Sequence, residues 1–306
     1  MRRLHYHLLD VFTDRAFGGN PLAVFTDGKG IPDATMQSIA KEFNLSETTF
    51  VLPPDDPQHN YRVRIFTPTI ELPMAGHPTV GTTFVLAREG MIERGVDETS
   101  VTLEEGVGPI PVSIKWRNGA PDFIEMRQPL PEFGPRFEDV DAIAEILSID
   151  PTKIRATNLP VEVVSCGVPY LLVPISDLAT ARQIRVRLDV LERVLKDFPT
   201  KDIFVFTQEV QFPGSSLHTR MFAPAFGVAE DPATGSANGP LGCYVVRYGV
   251  LPSDGELRFV SEQGIEMGRP SFMHIGISHT GDEISVVRVG GQCHYMGSGD
   301  LELEIE

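Results

Sequence analysis

Two stretches of this chain read as edited copies of one another. The first runs Arg64-Ile-Phe-Thr-Pro68, then Ala75-Gly-His-Pro-Thr79, and closes on Ala87-Arg-Glu-Gly-Met-Ile92. The second runs Arg220-Met-Phe-Ala-Pro224, then Glu230-Asp-Pro-Ala-Thr-Gly-Ser236, and closes on Val246-Arg-Tyr-Gly-Val-Leu251. The copies lie roughly 155–160 positions apart in 306 residues, so each half holds one. A period that long signifies a duplicated unit, since solenoid repeats are far shorter. Two similar halves are therefore expected, residues 1–128 and residues 129–289, and whether the last strands at about 290–306 return to complete the first half is open from the sequence. A cleft between halves is the usual home of a small-molecule site.

Local patterning fits an α+β duplication. In the first half, strands are expected around Tyr6–Phe12, Leu22–Phe25, Leu45–Val51, Val63–Phe66, Val101–Leu103, Ile110–Lys115 and Phe123–Met126. Asp33 is the expected N-cap of a helix through Phe43, and Gly76–Arg88 reads as a buried helix ended by Gly90. The segment Gln128–Pro135 carries three prolines and is the expected linker. In the second half, a helix is expected over Asp139–Leu147, and Asp177 caps a long helical run through Lys196. Strands follow at Ile203–Thr207 and Thr219–Phe222, then a second central helix over Thr234–Tyr248. Glu256–Val260, His274–Ile277, Ile284–Val289 and Leu301–Ile305 close the chain as strands. Each half thus has a mixed or antiparallel sheet curled around one rather apolar helix.

Composition narrows the partners. A formal charge of −16 argues against nucleic acid or an anionic membrane surface, because both would repel the chain. No apolar run approaches the roughly 20 residues that span a bilayer, and the opening residues lack the apolar core of a secretory signal. Cys166, Cys243 and Cys293 lie far apart in sequence without metal-ligand spacing, which fits reduced thiols in the cytoplasm. No metal is expected.

The candidate chemistry sits in the copied motifs. Glycine followed by a helix, as at Gly76 and Gly235, presents first-turn N–H groups and the positive end of the helix dipole to an anion. Ser236 adds a hydroxyl, and Pro78 fits a first helical turn, where its missing N–H costs nothing. His77 and Asp231 form a polar pair suited to orienting an amine or shuttling a proton. The plainer reading is a structural histidine and an N-cap aspartate. Glu47, set among apolar and strand-forming residues, would have its pKa raised by desolvation into the range of a general acid/base. A solvent-facing strand residue is the alternative. Asn20 follows a Gly-Gly turn and either reaches the pocket or satisfies its own turn. Arg269 reads as a structural or interface residue in a turn.

Phe17-Gly-Gly-Asn-Pro21, Leu45-Ser-Glu-Thr-Thr-Phe-Val51, Ala75–Thr79, Glu230–Ala237 and Gln263–Ser271 together resemble the PhzF-like family, the phenazine-biosynthesis isomerase group. The resemblance runs from the first strand to the last. It implies a diaminopimelate epimerase-type fold with the site between two halves, no cofactor and a homodimer. It also implies that Glu47 moves a proton between carbons of a dihydro-3-hydroxyanthranilate-like carboxylate, while Gly76, His77, Asp231, Gly235 and Ser236 bind it. Racemases of similar architecture use two thiols at the helix starts. Here those positions are Ala75 and Asp231, so a two-thiol racemase is not expected. A dehydratase, an epimerase or a non-catalytic ligand-binding protein remain the alternatives, with a metallohydrolase using His77 and Asp231 ranked last.

Overall fold

The protein is described by a computed structural model over residues 1–224 and 228–304. The expected strand end at Ile305 lies outside the described residues. The chain divides into two compact units, Met1–Arg127 with Val289–Glu306, and Gln128–Arg288.

The first unit runs β1 (Arg2–Val11), β2 (Asn20–Phe25), α1 (Asp33–Phe43), β3 (Glu47–Leu52), β4 (Tyr61–Phe66), β5 (Glu71–Leu72), α2 (Gly76–Arg88), β6 (Glu98–Glu105), β7 (Gly108–Arg117) and β8 (Ala120–Gln128). The second runs β9 (Glu132–Arg136), α3 (Val140–Leu147), α4 (Thr152–Arg155), β10 (Glu162–Ser165), β11 (Pro169–Pro174), α5 (Leu178–Gln183), α6 (Leu188–Val194), β12 (Ile203–Thr207), β13 (Leu217–Ala223), β14 (Val228–Asp231), α7 (Gly235–Tyr248), β15 (Glu256–Gln263), β16 (Ser271–Thr280) and β17 (Glu283–Gly291). The last strand, β18 (Cys293–Leu303), returns to pair antiparallel with β1 in the first unit. The expected α+β architecture of two like halves is what the chain adopts.

The duplication is visible strand by strand. In the first unit β2 and β3 are parallel, with Leu22 opposite Glu47, and β3 runs antiparallel to β4, with Phe50 opposite Arg64. In the second unit β11 and β12 are parallel and β12 runs antiparallel to β13, with Val205 opposite Arg220. The two copied arginines do the same work. Arg64 grips Glu71 through Nε and Nη2, each at 2.7 Å, and Arg220 grips Glu230 at 2.8 and 2.7 Å. Each planar fork matches a carboxylate, Arg64 also reaching Asp33 of α1 and Arg220 the Ala181 carbonyl of α5.

Those central helices are apolar nearly all round, so each is buried within its own unit. Every residue from Gly76 to Ala87 of α2 is buried. Its threonines stay satisfied by short local bonds, Thr83 to the Thr79 carbonyl at 2.8 Å and Thr82 to Thr49 at 2.8 Å. A side cluster of Phe25, Met36, Ile39, Phe50 and Phe66 seats α1 on the outer face of the sheet. Each such side chain contributes about 2 kcal/mol by leaving water.

Three local expectations are corrected. Asp33 is the first helical residue of α1 rather than its cap; Pro32 holds the cap position, and the Asp33 carboxylate instead accepts from Arg64 at 2.5 Å. The Pro-rich linker is largely a strand. β9 pairs with β10, and Pro135 falls in the register shift between the pairs Phe133–Val164 and Arg136–Glu162, where a missing N–H breaks no ladder bond. The long run capped by Asp177 is two helices. It breaks at Ile184 because the amides of Arg185 and Arg187 are taken by the Leu147 and Ile146 carbonyls at the end of α3.

Candidate active site

In the first unit the site is built from the turn before β2. Gly19 has φ +60°, and a Cβ there would overlap the Val11 carbonyl, so only glycine lets β2 begin so close to β1. The next residue, Asn20, is fully buried and donates through Nδ2 to His77 Nδ1 at 3.1 Å. His77 occupies the first turn of α2, and burial pushes its pKa down to about 3, so the imidazole is neutral. With Nδ1 accepting from the Asn20 amide, the ring proton sits on Nε2. On that side lies Glu47 Oε2, 3.2 Å away. Glu47 opens β3 opposite Leu22, a residue packed against Gly81 of α2, so strand register puts its carboxyl on the helix face. Asn20, His77 and Glu47, distant in sequence, thus come together, the first two buried and hydrogen-bonded and the Glu47 carboxyl, partly exposed, in close contact with the imidazole.

The start of α2 carries no side-chain cap. Ala75 is extended at the cap position, makes no side-chain cap and is followed by no acidic residue in the first turn. A group the sequence reading missed holds this turn in place. Thr79 Oγ1 lies 2.6 Å from the Ala75 carbonyl and 2.5 Å from Glu105 Oε1. One hydroxyl proton cannot serve two acceptors, so Glu105 itself carries a proton and donates it to Thr79, which donates to Ala75. Burial pushes Glu105 up to about 8, in agreement with that proton count.

In the second unit Asp231 ends β14 and accepts from Thr234 Oγ1 at 2.5 Å. Gln263 clamps the loop between them. Its Nε2 donates to the Asp231 carbonyl at 2.7 Å and to Thr234 Oγ1 at 3.0 Å, while its Oε1 accepts from the Thr234 amide at 3.1 Å. Gly264 has φ +75°, and a Cβ there would sit 2.5 Å from the carbonyl oxygens of both Pro232 and Arg269, so the two turns touch. Arg269 is a turn residue whose amide donates to the Gly264 carbonyl at 3.0 Å. The helix start at Gly235 lacks a side-chain cap, its carbonyl accepts from Gln128 at 2.9 Å, and Ser236 Oγ meets the Tyr170 hydroxyl at 2.6 Å. Glu105 and Gln263 close β6 and β15 in matching positions, which aligning the two copies through their last strands would have revealed.

A second ionic centre also escaped the sequence reading. His218, buried on β13, lies between Glu262 Oε1 at 3.0 Å and Glu266 Oε1 at 3.1 Å. Both carboxylates raise its pKa against the opposing effect of burial. Sequence distance misled on the thiols: Cys166 and Cys243 have their sulfurs 3.9 Å apart, both buried. Neither stands at the start of α2 or α7. Among the described residues no group of three or more His, Cys, Asp and Glu is placed to hold a metal ion, and no helix is long and apolar enough to cross a membrane.

Comparison with solved structures gives the class first. A probable proline racemase from Agrobacterium radiobacter matches with a TM-score of 0.69 over 98% of this chain and 93% of that one, at 14% identity. That is a likeness of fold alone, and it places the architecture with the racemases and epimerases. Sequence then gives the family. The family model for phenazine biosynthesis-like proteins matches residues 9–299, and the chain belongs to this family, PhzC-PhzF. It is 38% identical to an uncharacterised isomerase of Mesorhizobium japonicum, over 98% of this chain and 99% of that one. It is 35% identical to the trans-2,3-dihydro-3-hydroxyanthranilate isomerase of Pseudomonas aeruginosa, over 94% and 95%. A PhzF-family crystal structure from Bacillus anthracis matches with a TM-score of 0.89 at 27% identity, over 99% and 100% of the chains. Isomerase is accordingly the enzyme class.

Proposed function

We propose that this chain is a cofactor-independent isomerase that moves a proton between carbons of a small carboxylate resembling trans-2,3-dihydro-3-hydroxyanthranilate, with Glu47 as the acid/base. The observation that carries the reading is the meeting of Asn20, His77 and the partly exposed Glu47 carboxyl at the uncapped start of α2. Removing a carbon-bound proton beside a conjugated carboxylate needs a base and an electron sink, and the substrate supplies the sink. Glu47 takes the proton, the electron pair spreads into the conjugated system, and a proton returns at another carbon. His77, neutral and bearing its proton on Nε2, orients the Glu47 carboxylate. Asp231 holds an amine or hydroxyl, and Asn20, Gly76, Gly235 and Ser236 bind the substrate, with helix-start amides receiving its carboxylate. Assembly as a homodimer in the cytoplasm belongs to the same reading and rests on the family resemblance; light scattering tests the dimer.

The decisive experiment follows deuterium from solvent into trans-2,3-dihydro-3-hydroxyanthranilate and a panel of small amino and hydroxy carboxylates, with wild type and Glu47→Gln. Incorporation or conversion with wild type and none with Glu47→Gln is expected. No change in any compound with wild type refutes the reading, and binding without exchange points to a ligand-binding protein.

A further inference from the structure

We infer that His218 is a positioning residue of the second unit: as an imidazolium it staples together the two ends of the bend Glu262–Glu266, and that bend fixes the place of Asp231. This concerns the second unit alone, and rests on the proposed function only in taking Asp231 as a residue that holds substrate.

The staple closes on both ends of one short bend. β13 and β15 run parallel with His218 in register with Glu262, so the two side chains share a face. Nδ1 of the buried ring lies 3.0 Å from Glu262 Oε1, and Nε2 lies 3.1 Å from Glu266 Oε1. Glu262 also accepts the Gln211 amide at 2.5 Å and the Phe212 amide at 2.9 Å, as an ionised carboxylate does. A neutral imidazole has one N–H and would turn a lone pair toward one of the two carboxylates. Only the imidazolium donates to both. Glu266 Oε2 is buried with no partner among the described residues, so that side chain is held through His218.

Between the stapled carboxylates lie the two residues that grip the Asp231 loop. Gln263 donates to the Asp231 carbonyl and to Thr234 Oγ1, and it accepts from the Thr234 amide. Gly264 lies against the Pro232 carbonyl. Thr234 Oγ1 in turn donates to Asp231 Oδ2 at 2.5 Å. One path of contacts therefore runs from the imidazolium to the Asp231 carboxylate.

The duplicated unit shows that such a bend does not itself require a staple. In the first unit Gly106 lies against Pro73 as Gly264 lies against Pro232. There Arg62, in register with Glu104, stands in the place of His218, and Gly108 stands in the place of Glu266. Matching the two arginine forks, Arg64 on Glu71 and Arg220 on Glu230, sets Leu72 in the place of Asp231. The staple thus belongs to the unit whose loop carries a carboxylate to be positioned.

The charged groups facing the ring, among the described residues, are Glu262 from β15, Glu266 from the bend and Arg220 two positions along β13. Arg220 is paired with Glu230 and also favours the ionised form of Glu266. The loop before β13 contributes the Gln211 and Phe212 amides and the Ser215 hydroxyl to Glu262, and Thr207 lies opposite on β12. Burial works against a charged ring, but the two carboxylates outweigh it and raise the pKa above 6.5. The staple is therefore closed below the ordinary histidine value and opens as pH climbs through the folded one.

Two readouts test this, and the first needs no substrate. Hydrogen exchange by mass spectrometry, corrected for the intrinsic pH dependence of amides, follows residues 228–237 from pH 6 to 10. Wild type is expected to lose protection there by about tenfold as pH rises, the worth of one charge-assisted hydrogen bond. His218→Gln is expected to be poorly protected at every pH. Glu266→Gln is expected to stay protected throughout, because its amide can accept from the charged ring and donate to the neutral one. The second readout is KM for trans-2,3-dihydro-3-hydroxyanthranilate, expected to rise about tenfold in step while kcat stays nearly unchanged, since a displaced Asp231 weakens ground-state and transition-state binding alike. A merely structural histidine would lower stability without a KM that follows pH or a rescue by Glu266→Gln. Wild-type protection that is flat across pH, or a Glu266→Gln profile that follows wild type, overturns the inference. If protection behaves as expected but wild type leaves the compound unchanged, the functional reading fails while the positioning of the Asp231 loop by His218 stands.

Discussion

Glu105→Gln should stabilise this protein, and the gain should depend on pH in a way set by one proton. The folded state holds Glu105 neutral up to about pH 8, whereas its ordinary pKa is 4.5. Below pH 4.5 the group is protonated folded or unfolded and contributes no difference. Between those values only the unfolded chain ionises, so folding must recover a proton at about 1.4 kcal/mol per pH unit. At pH 7 that penalty is about 3 kcal/mol, and above pH 8 it levels off. Glutamine needs no proton, its Nε2–H donates to Thr79 Oγ1 as the neutral acid does, and Gln263 already fills the matching place in the second unit. The variant should gain about 3 kcal/mol at pH 7 in the unfolding of the first unit, seen as several degrees in melting temperature. At pH 4.5 the gain should vanish. Urea titrations of wild type and variant from pH 4 to 9 measure it. A gain that is the same at every pH, or a loss at pH 7, would refute the protonated Glu105–Thr79–Ala75 chain.

Other outcomes follow from the same geometry. Asn20→Ala removes the donor that keeps the His77 proton on Nε2. Losing a hydrogen bond worth about 1 kcal/mol net should slow substrate deuterium exchange five- to tenfold, more in kcat than in KM, by mass spectrometry. Gly264→Ala forces a Cβ onto two carbonyl oxygens at positive φ. It should cost about 2–4 kcal/mol in chemical denaturation and loosen the Asp231 loop; a neutral result would contradict the contact between the two turns. The His218 cluster should give the second unit a stability maximum in mildly acidic solution. Its raised histidine pKa contributes fully below 6.5 and is lost as pH climbs through the folded value, while the lowered Glu262 and Glu266 contribute above 4.5 and are lost as pH falls. Differential scanning fluorimetry across pH should show both limbs, and His218→Gln should remove the alkaline one.

Much of this architecture was written in local pattern. The repeated Arg-x-Phe-x-Pro and glycine-then-helix stretches announced the duplication, and the lack of any ionisable side chain among the twelve buried positions of α2 other than His77 is readable directly. Helix starts, turn glycines and the placement of Glu47 on a strand are local matters, because they depend on the conformations of a few adjacent residues. The break in the Asp177 run was invisible, since it is made by carbonyls of α3 some 40 positions earlier. The pairing of β9 was hidden for the same reason, its proline being tolerated only through a register shift against β10.

For the candidate site the division is sharper. Sequence alone determined the kinds of groups available: carboxylates, one imidazole and two glycine-led helix starts in duplicate. Which of them meet, and in what protonation state, was decided by tertiary structure. Burial makes His77 neutral and leaves Glu105 holding its proton, and strand register sets Glu47 on the face that packs against α2. Desolvation and register depend on what long-range pairing places around a residue, which no span of a single chain states.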